Sequence, residues 1–422
     1  MHDLSAIEMK MKKLPLIPLF FLLPFFAFSA IFKVGKNEEF KTIKQAIAAA
    51  KSGDTVVVQK GIYREGTIDI EKPLTLLGIE RPILDGNFKG EILTFRADNI
   101  VLKGFKLINS GRDEIQSIAA VHVYTSSNSV IENNIFENNY FGIYVQRGYR
   151  ILINKNKITS ARGTSQENIG DGIHLLGSRE IWVKNNYISG HKDGIYLEKN
   201  AKCYVYHNLS RDNLRYGLHF MFSNDSVYTA NVFDNNGAGV AVMYAMNVSM
   251  YHNKFINNWG DSVYGLLLKE ISYSKIRGNL FQNNTTGILA DGATKIDFYN
   301  NQFEDNGWAL KINANCMENR VLRNNFINNT FDVSTSGSVV MNDFRFNFWD
   351  KYEGYDLDKD KIGDVPFHPL SLYSVLVEQN PSIMLLFRSF LVDTLDKMEK
   401  ILPSLTPESF VDEKPVLKPV KI

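Results

Sequence analysis

The chain has 422 residues, 44% of them apolar and 22% charged, with a formal net charge of +1. That composition supports a large core, and the absence of any basic stripe or long charge run argues against nucleic acid as a partner. The two cysteines, Cys203 and Cys316, allow at most one disulfide.

Residues 1–29 read as an export signal. Lys10, Lys12 and Lys13 precede an apolar run that carries Pro15, Pro18 and Pro24, and Ala27-Phe28-Ser29 offers small residues at a cleavage site before Ala30. The run is short for a membrane span, although an uncleaved anchor is the competing reading. Asp3 and Glu8 do not suit a signal, so translation is expected to begin at Met9 or Met11. No cysteine lies near the cleavage site, which excludes a lipoprotein signal.

A short amphipathic helix is predicted near residues 38–52, within "EEFKTIKQAIAAAKSGD". Ile43, Ala46, Ile47 and Ala50 lie on one side, and Gly53 follows the end. It precedes "TVVV", the expected first strand, and so reads as an N-terminal cap.

An internal repeat then dominates the chain. Asparagine recurs at 134, 156, 186, 208, 231, 253, 279, 301, 325 and 347, and a Gly-aliphatic pair follows in phase, from Gly142-Ile143 to Gly287-Ile288. A unit of about 22 residues with short β-branched and aromatic runs is one solenoid rung. The expected fold is all-β, a right-handed parallel β-helix of about 12–13 coils over residues 30–350, about 60 Å long. Stacked asparagines would bond backbone at the turns, and glycine would supply the unusual dihedrals there. "ARGTSQEN" and "NWGDSVY" read as loop insertions. The order of cap helix, "GDTVVVQKGIYRE" and "PLTLLGI" resembles the pectin-lyase-like β-helix superfamily. On this frame the cysteines sit about 24 Å apart, too far to pair, and both are expected to stay free, with Cys203 in the core.

The repeat also sorts side chains. Residues one and three after each repeat Gly should point inward, and those two and four after it outward. The first outward column reads Tyr144, His174, Tyr196, His219, Ala241, Leu267; the second reads Gln146, Leu176, Glu198, Met221, Met243, Lys269. Met221 and Met243 should be neighbours with His219 beside them, and Met246 follows in the next turn. Met250 belongs to the core, while His207 and His252 read as turn residues. An exposed patch of His174, Tyr196, His219, Met221, Met243 and Met246 admits three readings. It is a protein-docking surface, since Met and Tyr suit interfaces. It is a copper(I) site, since thioether and imidazole suit soft metals. Or it is a polyuronate-cleaving or epimerising site in which Asp171 and Asp193 join His174, Arg215 and His219. Asp before Gly is ordinary turn chemistry, however, and Tyr216, Ala238 and Tyr264 interrupt any acidic groove.

Beyond the rod, residues 351–370 carry Asp356, Asp358, Asp360 and Asp364. Alternating carboxylates suit calcium, but Lys361 stands where an EF-hand has Gly and no Glu closes the loop, so a solvated acidic turn is the alternative. Residues 371–422 hold a helix candidate from Ser382 to Leu402, apolar nearly all round at its start. It either caps the last coil or docks a membrane protein through Met384, Leu386, Phe387, Phe390 and Leu391. The Pro- and Lys-rich tail is expected to be extended or disordered alone.

"YGLHFMFSNDS", "GAGVAVMYAMNVSMYHNKFINNWGDSVYGLLLKEI" and "NTTGILADGA" resemble the NosD family, with "YGLLLKEI" the most specific piece, and the resemblance runs from about Phe40 to the C-terminus. It implies a non-enzymatic accessory protein of the periplasm, attached to the inner membrane through its partners. These are an ABC transporter with ATPase and permease subunits, a copper chaperone, and nitrous oxide reductase, whose copper-sulfide centre the family helps to build. The family has no settled catalytic residues, so none is carried over. A polyuronate-active lyase or epimerase is the alternative.

Overall fold

A computed structural model describes residues 29–113, 115–160, 169–337, 341–401 and 410–422. The export-signal expectation falls almost wholly outside them.

Among the described residues, three parallel sheets of 14, 13 and 12 strands run the length of the rod. One coil illustrates all: Tyr204–Tyr206 lies in the first sheet, Leu209–Arg211 in the second and Tyr216–Met221 in the third. Pairing is parallel and steps by one coil, as in Leu218 opposite Val240 and then Leu266. Most strands of the first two sheets have three residues and bury only the middle one, as Val205 and Phe233 do. Inside the second sheet those middle residues form a ring stack from Phe233 through Phe255, Phe281, Phe303 and Phe326 to Trp349, at centroid spacings of 5.5, 4.6, 5.0, 4.9 and 4.1 Å. Each fully buried ring contributes on the order of 2–3 kcal/mol.

The corners are closed by asparagine. At the predicted ladder the Asn208 N–H and Nδ2 both donate to Asn231 Oδ1, at 3.0 Å, and Nδ2 also donates to the Val183 carbonyl at 2.9 Å. The next-to-last rung is Asn324, which links Asn301 to Asn347, and not Asn325. Asn325 opens the next strand and bonds Val420 instead. A second ladder, unseen in the repeat, runs through Asn213, Asn236, Asn258, Asn284, Asn306 and Asn329 at the following corner.

The glycine expectation needs correction. The left-handed turn positions are mostly not glycine: Asn185, His207 and His252 hold φ of 55°, 55° and 52°. The repeat glycines sit in the third sheet, where coils approach closely. A Cβ on Gly217 would lie 2.8 Å from the Gly239 carbonyl oxygen, and one on Gly239 would lie 2.3 Å from that of Gly265. His207 and His252 are turn residues, as expected. Cys203 and Cys316 are buried and not disulfide-bonded, and burial pushes the Cys203 thiol up to about 12.

At the N-terminal end a strand, Ile31–Val34, comes before the cap and pairs with Thr55–Val58, so "TVVV" is the second strand. The helix α1 spans Ile43–Ala49, shorter than predicted, because Thr42 caps it and Ala50 is already extended. It buries Ile43, Ala46 and Ile47.

The C-terminal end departs most from expectation. The single helix from Ser382 to Leu402 is replaced by α2 (Leu372–Gln379), a 3-10 turn (Pro381–Leu386) and α3 (Phe390–Ile401). Arg388, at φ 60°, breaks the run. These pieces lie on the outer face of the third sheet's last coils, where Phe331, Tyr373, Val377 and Val392 form a small cluster. The described tail, 410–422, is extended but docked. Asp412 and Val416 bridge to Phe344 and Phe348, and Asp412 Oδ2 accepts the Asn347 N–H, Asn347 Nδ2 and Trp349 Nε1, ending the asparagine ladder.

Candidate functional site

Sheet register on the third sheet places the two predicted outward columns side by side. Tyr144, His174, Tyr196, His219, Ala241 and Leu267 are successive partners, as are Gln146, Leu176, Glu198, Met221, Met243 and Lys269. The first column is not an exposed patch. His174 is 8% exposed and His219 5%, because each ring is covered by the rings of neighbouring coils. The stack runs His122–Tyr144–His174–Tyr196–His219 at centroid distances of 4.8, 4.6, 4.6 and 4.4 Å.

Each histidine is fixed the same way. The Nδ1 of His122 faces Glu91 at 2.5 Å, that of His174 faces Asp171 at 2.9 Å and that of His219 faces Asp193 at 3.1 Å. In a neutral imidazole, a carboxylate that accepts from Nδ1–H leaves Nε2 as the lone-pair nitrogen. All three Nε2 atoms are buried without a hydrogen-bond partner. Asp193 is wholly buried and holds Arg215 through two contacts. Burial opposes its ionisation, but hydrogen bonds from Arg215 and His219 outweigh that and hold the carboxyl below its usual range.

Only His219 has sulfur beside it. Met221 lies two residues on along the same strand, half-buried, and Met243 is its partner on the next coil. The Tyr196 hydroxyl donates to Met221 Sδ at 3.4 Å while its ring lies parallel to His219. His219, Met221 and Met243 thus lie on one face of two adjacent strands, with the His219 Nε2 buried and both methionines half-buried. His174 belongs to a separate dyad two coils away. Met246 is exposed in the following turn, near the stacked Phe222 and Tyr244 rings.

His122, with Glu91 and Tyr124, extends the stack but escapes the repeat, because Ala120 stands where later coils have Gly; its alternation within "AAVHVY" was the available signal. The carboxylates of the polyuronate reading are committed elsewhere: Asp171 to His174 and Asp193 to Arg215 and His219. Their histidine Nε2 atoms are buried, so this face presents no open acid–base groove.

The Asp-rich loop brings the carboxylates of Asp356, Asp358 and Asp360 within 4.8 Å of one another. Asp364 instead accepts the Leu357 N–H at 2.6 Å. Backbone N–H groups of Asp360 and Lys361 already occupy both Asp356 oxygens. Among the C-terminal residues, Met384 packs against the Phe331 cluster, whereas Leu386, Phe387, Phe390 and Leu391 are exposed, Phe390 at 87%. No helix among the described residues is long and apolar enough to cross a membrane.

Residues 156–354 match the family described as "Periplasmic copper-binding protein (NosD)", and residues 37–166 match the "Right handed beta helix region". A Pseudomonas aeruginosa protein named "Probable ABC transporter binding protein NosD" is 28% identical over 371 residues, 84% of this chain and 86% of its own length. A Stutzerimonas stutzeri protein of the same name is 26% identical over 373 residues, 84% of this chain and 85% of its own. Among solved structures, a Yersinia enterocolitica family 28 exopolygalacturonase aligns at TM-score 0.52 and 13% identity, covering 75% of this chain and 78% of that one, a likeness of fold alone. Matched segments cover most of the rod and two relatives span most of their own length, so the chain is similar to proteins of the NosD family and has their right-handed parallel β-helix region.

Proposed function

We propose that this protein is a periplasmic, non-enzymatic accessory factor that receives Cu(I) on the third-sheet face and takes part in assembling the copper-sulfide centre of nitrous oxide reductase. The observation that carries the reading is the buried, unpartnered Nε2 of His219 beside Met221 and Met243. Imidazole and thioether are soft donors without charge, suited to Cu(I) and poorly suited to hard divalent cations. The Asp193–Arg215 pair supplies the outer support that fixes the imidazole's orientation. Copper is cargo here, delivered by a chaperone whose docking ridge is the exposed Phe222, Tyr244 and Met246 beside the donors. The printed names of the family and of its relatives, copper-binding and ABC transporter binding, support copper and an ABC transporter in this reading.

The C-terminal patch serves the transporter in this reading. Leu385, Leu386, Phe387, Phe390 and Leu391 are each exposed within one short stretch of chain, and large apolar side chains are left in water only at a cost. Docking on the transporter's exported side would hold the protein at the inner membrane. Calcium at Asp356, Asp358 and Asp360 remains a proposal about the loop's stability, separate from copper handling.

The test is an anaerobic Cu(I) competition titration. One tight equivalent is expected in the parent and none in the H219A/M221A/M243A variant, with unchanged circular dichroism. An unchanged titration removes this site, and turnover of polyuronate by the isolated protein would replace the reading. Phe390→Asp with Leu391→Asp is expected to abolish co-purification with the transporter while leaving Cu(I) binding intact.

A further inference from the structure

We propose that Tyr196 is a displaceable stop on the copper site: its hydroxyl holds the Met221 thioether while the site is empty and gives it up when the ion arrives. The inference rests on the copper reading but concerns a residue that reading does not use. Tyr196 touches two of the three donors. Its ring stacks on His219 at 4.4 Å and 8°, and its O–H donates to Met221 Sδ at 3.4 Å. His174 lies on its other side, tilted by 63° at 4.6 Å, so the ring sits between two imidazoles. The ring and the hydroxyl thus act in opposite senses. The ring orients His219 and favours binding. The hydroxyl occupies a sulfur lone pair and withdraws donor strength from it, which disfavours binding.

Thioether sulfur is a weak acceptor, so the bond can be exchanged for a metal–sulfur bond at small cost. The freed hydroxyl sits at a half-buried position where water replaces the sulfur. A carrier that must release its cargo gains from such a competitor, because the returning hydroxyl assists departure. The step is an exchange of one hydrogen bond for one coordinate bond and changes no oxidation or protonation state.

The two roles separate by substitution. Tyr196→Phe keeps the ring and removes the hydroxyl; Tyr196→Leu removes both. The probe is Cu(I) alone, titrated anaerobically against a chromogenic chelator, with carbon-13 methyl spectra of the methionines as the second readout. Tyr196→Phe is expected to bind Cu(I) about three- to tenfold more tightly, the worth of one modest hydrogen bond. Tyr196→Leu is expected to bind more weakly than the parent. In the metal-free protein, Tyr196→Phe should shift the Met221 methyl resonance and leave those of distant methionines in place. Equal or weaker binding by Tyr196→Phe, or a metal-free Met221 resonance that does not move, overturns the proposal while Met221→Ala still abolishes binding. If Met221→Ala and His219→Ala bind as the parent does, the copper reading itself fails.

Discussion

Two ring stacks run along this rod, one inside it and one outside. The interior column from Phe233 to Trp349 and the exterior column from His122 to His219 share nearly the same spacing, because both are set by the rise of one coil. They differ in what the rings can do. The interior rings are apolar, fully buried and equivalent, and any one contributes what the next contributes. The exterior rings alternate His with Tyr, each histidine has its own carboxylate, and each leaves a nitrogen unsatisfied. A buried acceptor without a partner costs about 1–3 kcal/mol, so three in a row are not what a face selected for stability alone would carry. The repeat builds both columns with the same geometry; only the outer one departs from what folding needs.

The widest separation of the two columns comes from deleting a ring in each. Phe281→Ala, inside, should destabilise by about 3–5 kcal/mol through lost burial and the cavity left between Phe255 and Phe303. It should leave Cu(I) affinity unchanged. His219→Ala should do the reverse, removing copper binding with little loss in urea midpoint. Equal stability losses for the two would mean that the outer stack is merely a second core.

A smaller effect is expected from the carboxylate that supports the outer stack. Asp193→Asn should cost about 2–3 kcal/mol at neutral pH, since it leaves Arg215 without its charge partner and His219 without a strong acceptor. The sign of its pH dependence is fixed by the direction of its shift. Asp193 is held below its usual range in the fold, so its contribution is complete above about pH 4, the unfolded carboxylate value, and is lost as pH falls below it. The gap between parent and variant should therefore shrink in acid. His191 acts earlier: burial lowers it to about 4, so acidification from about pH 6.5 to 4 already disfavours the fold in both proteins. Urea midpoints at three pH values read both effects, and a gap that widens in acid would contradict the assignment.

The rod itself was legible because its period is long, regular and carried by residue types with one job each. Asn at a corner recurs over ten units and Gly at a close approach over seven of them, in phase, and the outward columns follow from that phase by simple alternation. The register of Met221 with Met243 and the place of His219 were readable for this reason. Burial of the outer column was not readable, since alternation says which way a side chain points and nothing about whether rings of adjacent coils cover it. The slip from Asn324 to Asn325 shows the limit of a period: two adjacent asparagines satisfy the pattern equally, and only the bonds to Asn301 and Asn347 decide. The C-terminal region misled more seriously. Its apolar run looked like one helix because helical periodicity cannot see a break at Arg388, and its tail looked unstructured because composition cannot reveal a docking groove.

The finest contrast is between two buried carboxylates with opposite shifts. Asp412 stands where the first ladder would have its next asparagine. Its Oδ2 accepts three N–H groups from Asn347 and Trp349, and its Oδ1 accepts the Lys414 N–H at 3.0 Å. Only an acceptor-only side chain satisfies all four donors. Yet among the described residues no cation pairs with it as Arg215 pairs with Asp193, and burial raises its carboxyl above the usual range despite those hydrogen bonds. In Asp412→Asn the two effects nearly cancel: about 1 kcal/mol is lost where the amide faces the Lys414 N–H, and a comparable amount is gained by removing a buried charge. The net change at neutral pH should lie within about 1 kcal/mol. Its pH dependence is the opposite of that at Asp193. A raised carboxyl contributes stability that is complete below about pH 4 and is lost as pH rises through its folded value, so acidification should move the balance toward the parent. Midpoints for Asp193→Asn and Asp412→Asn, each measured against the parent from pH 7 down to about pH 2, should thus converge on it below about pH 4 in the first case and fall behind it between about pH 7 and 4 in the second. A loss above about 3 kcal/mol for Asp412→Asn at neutral pH would show that the ladder's end needs the charge itself.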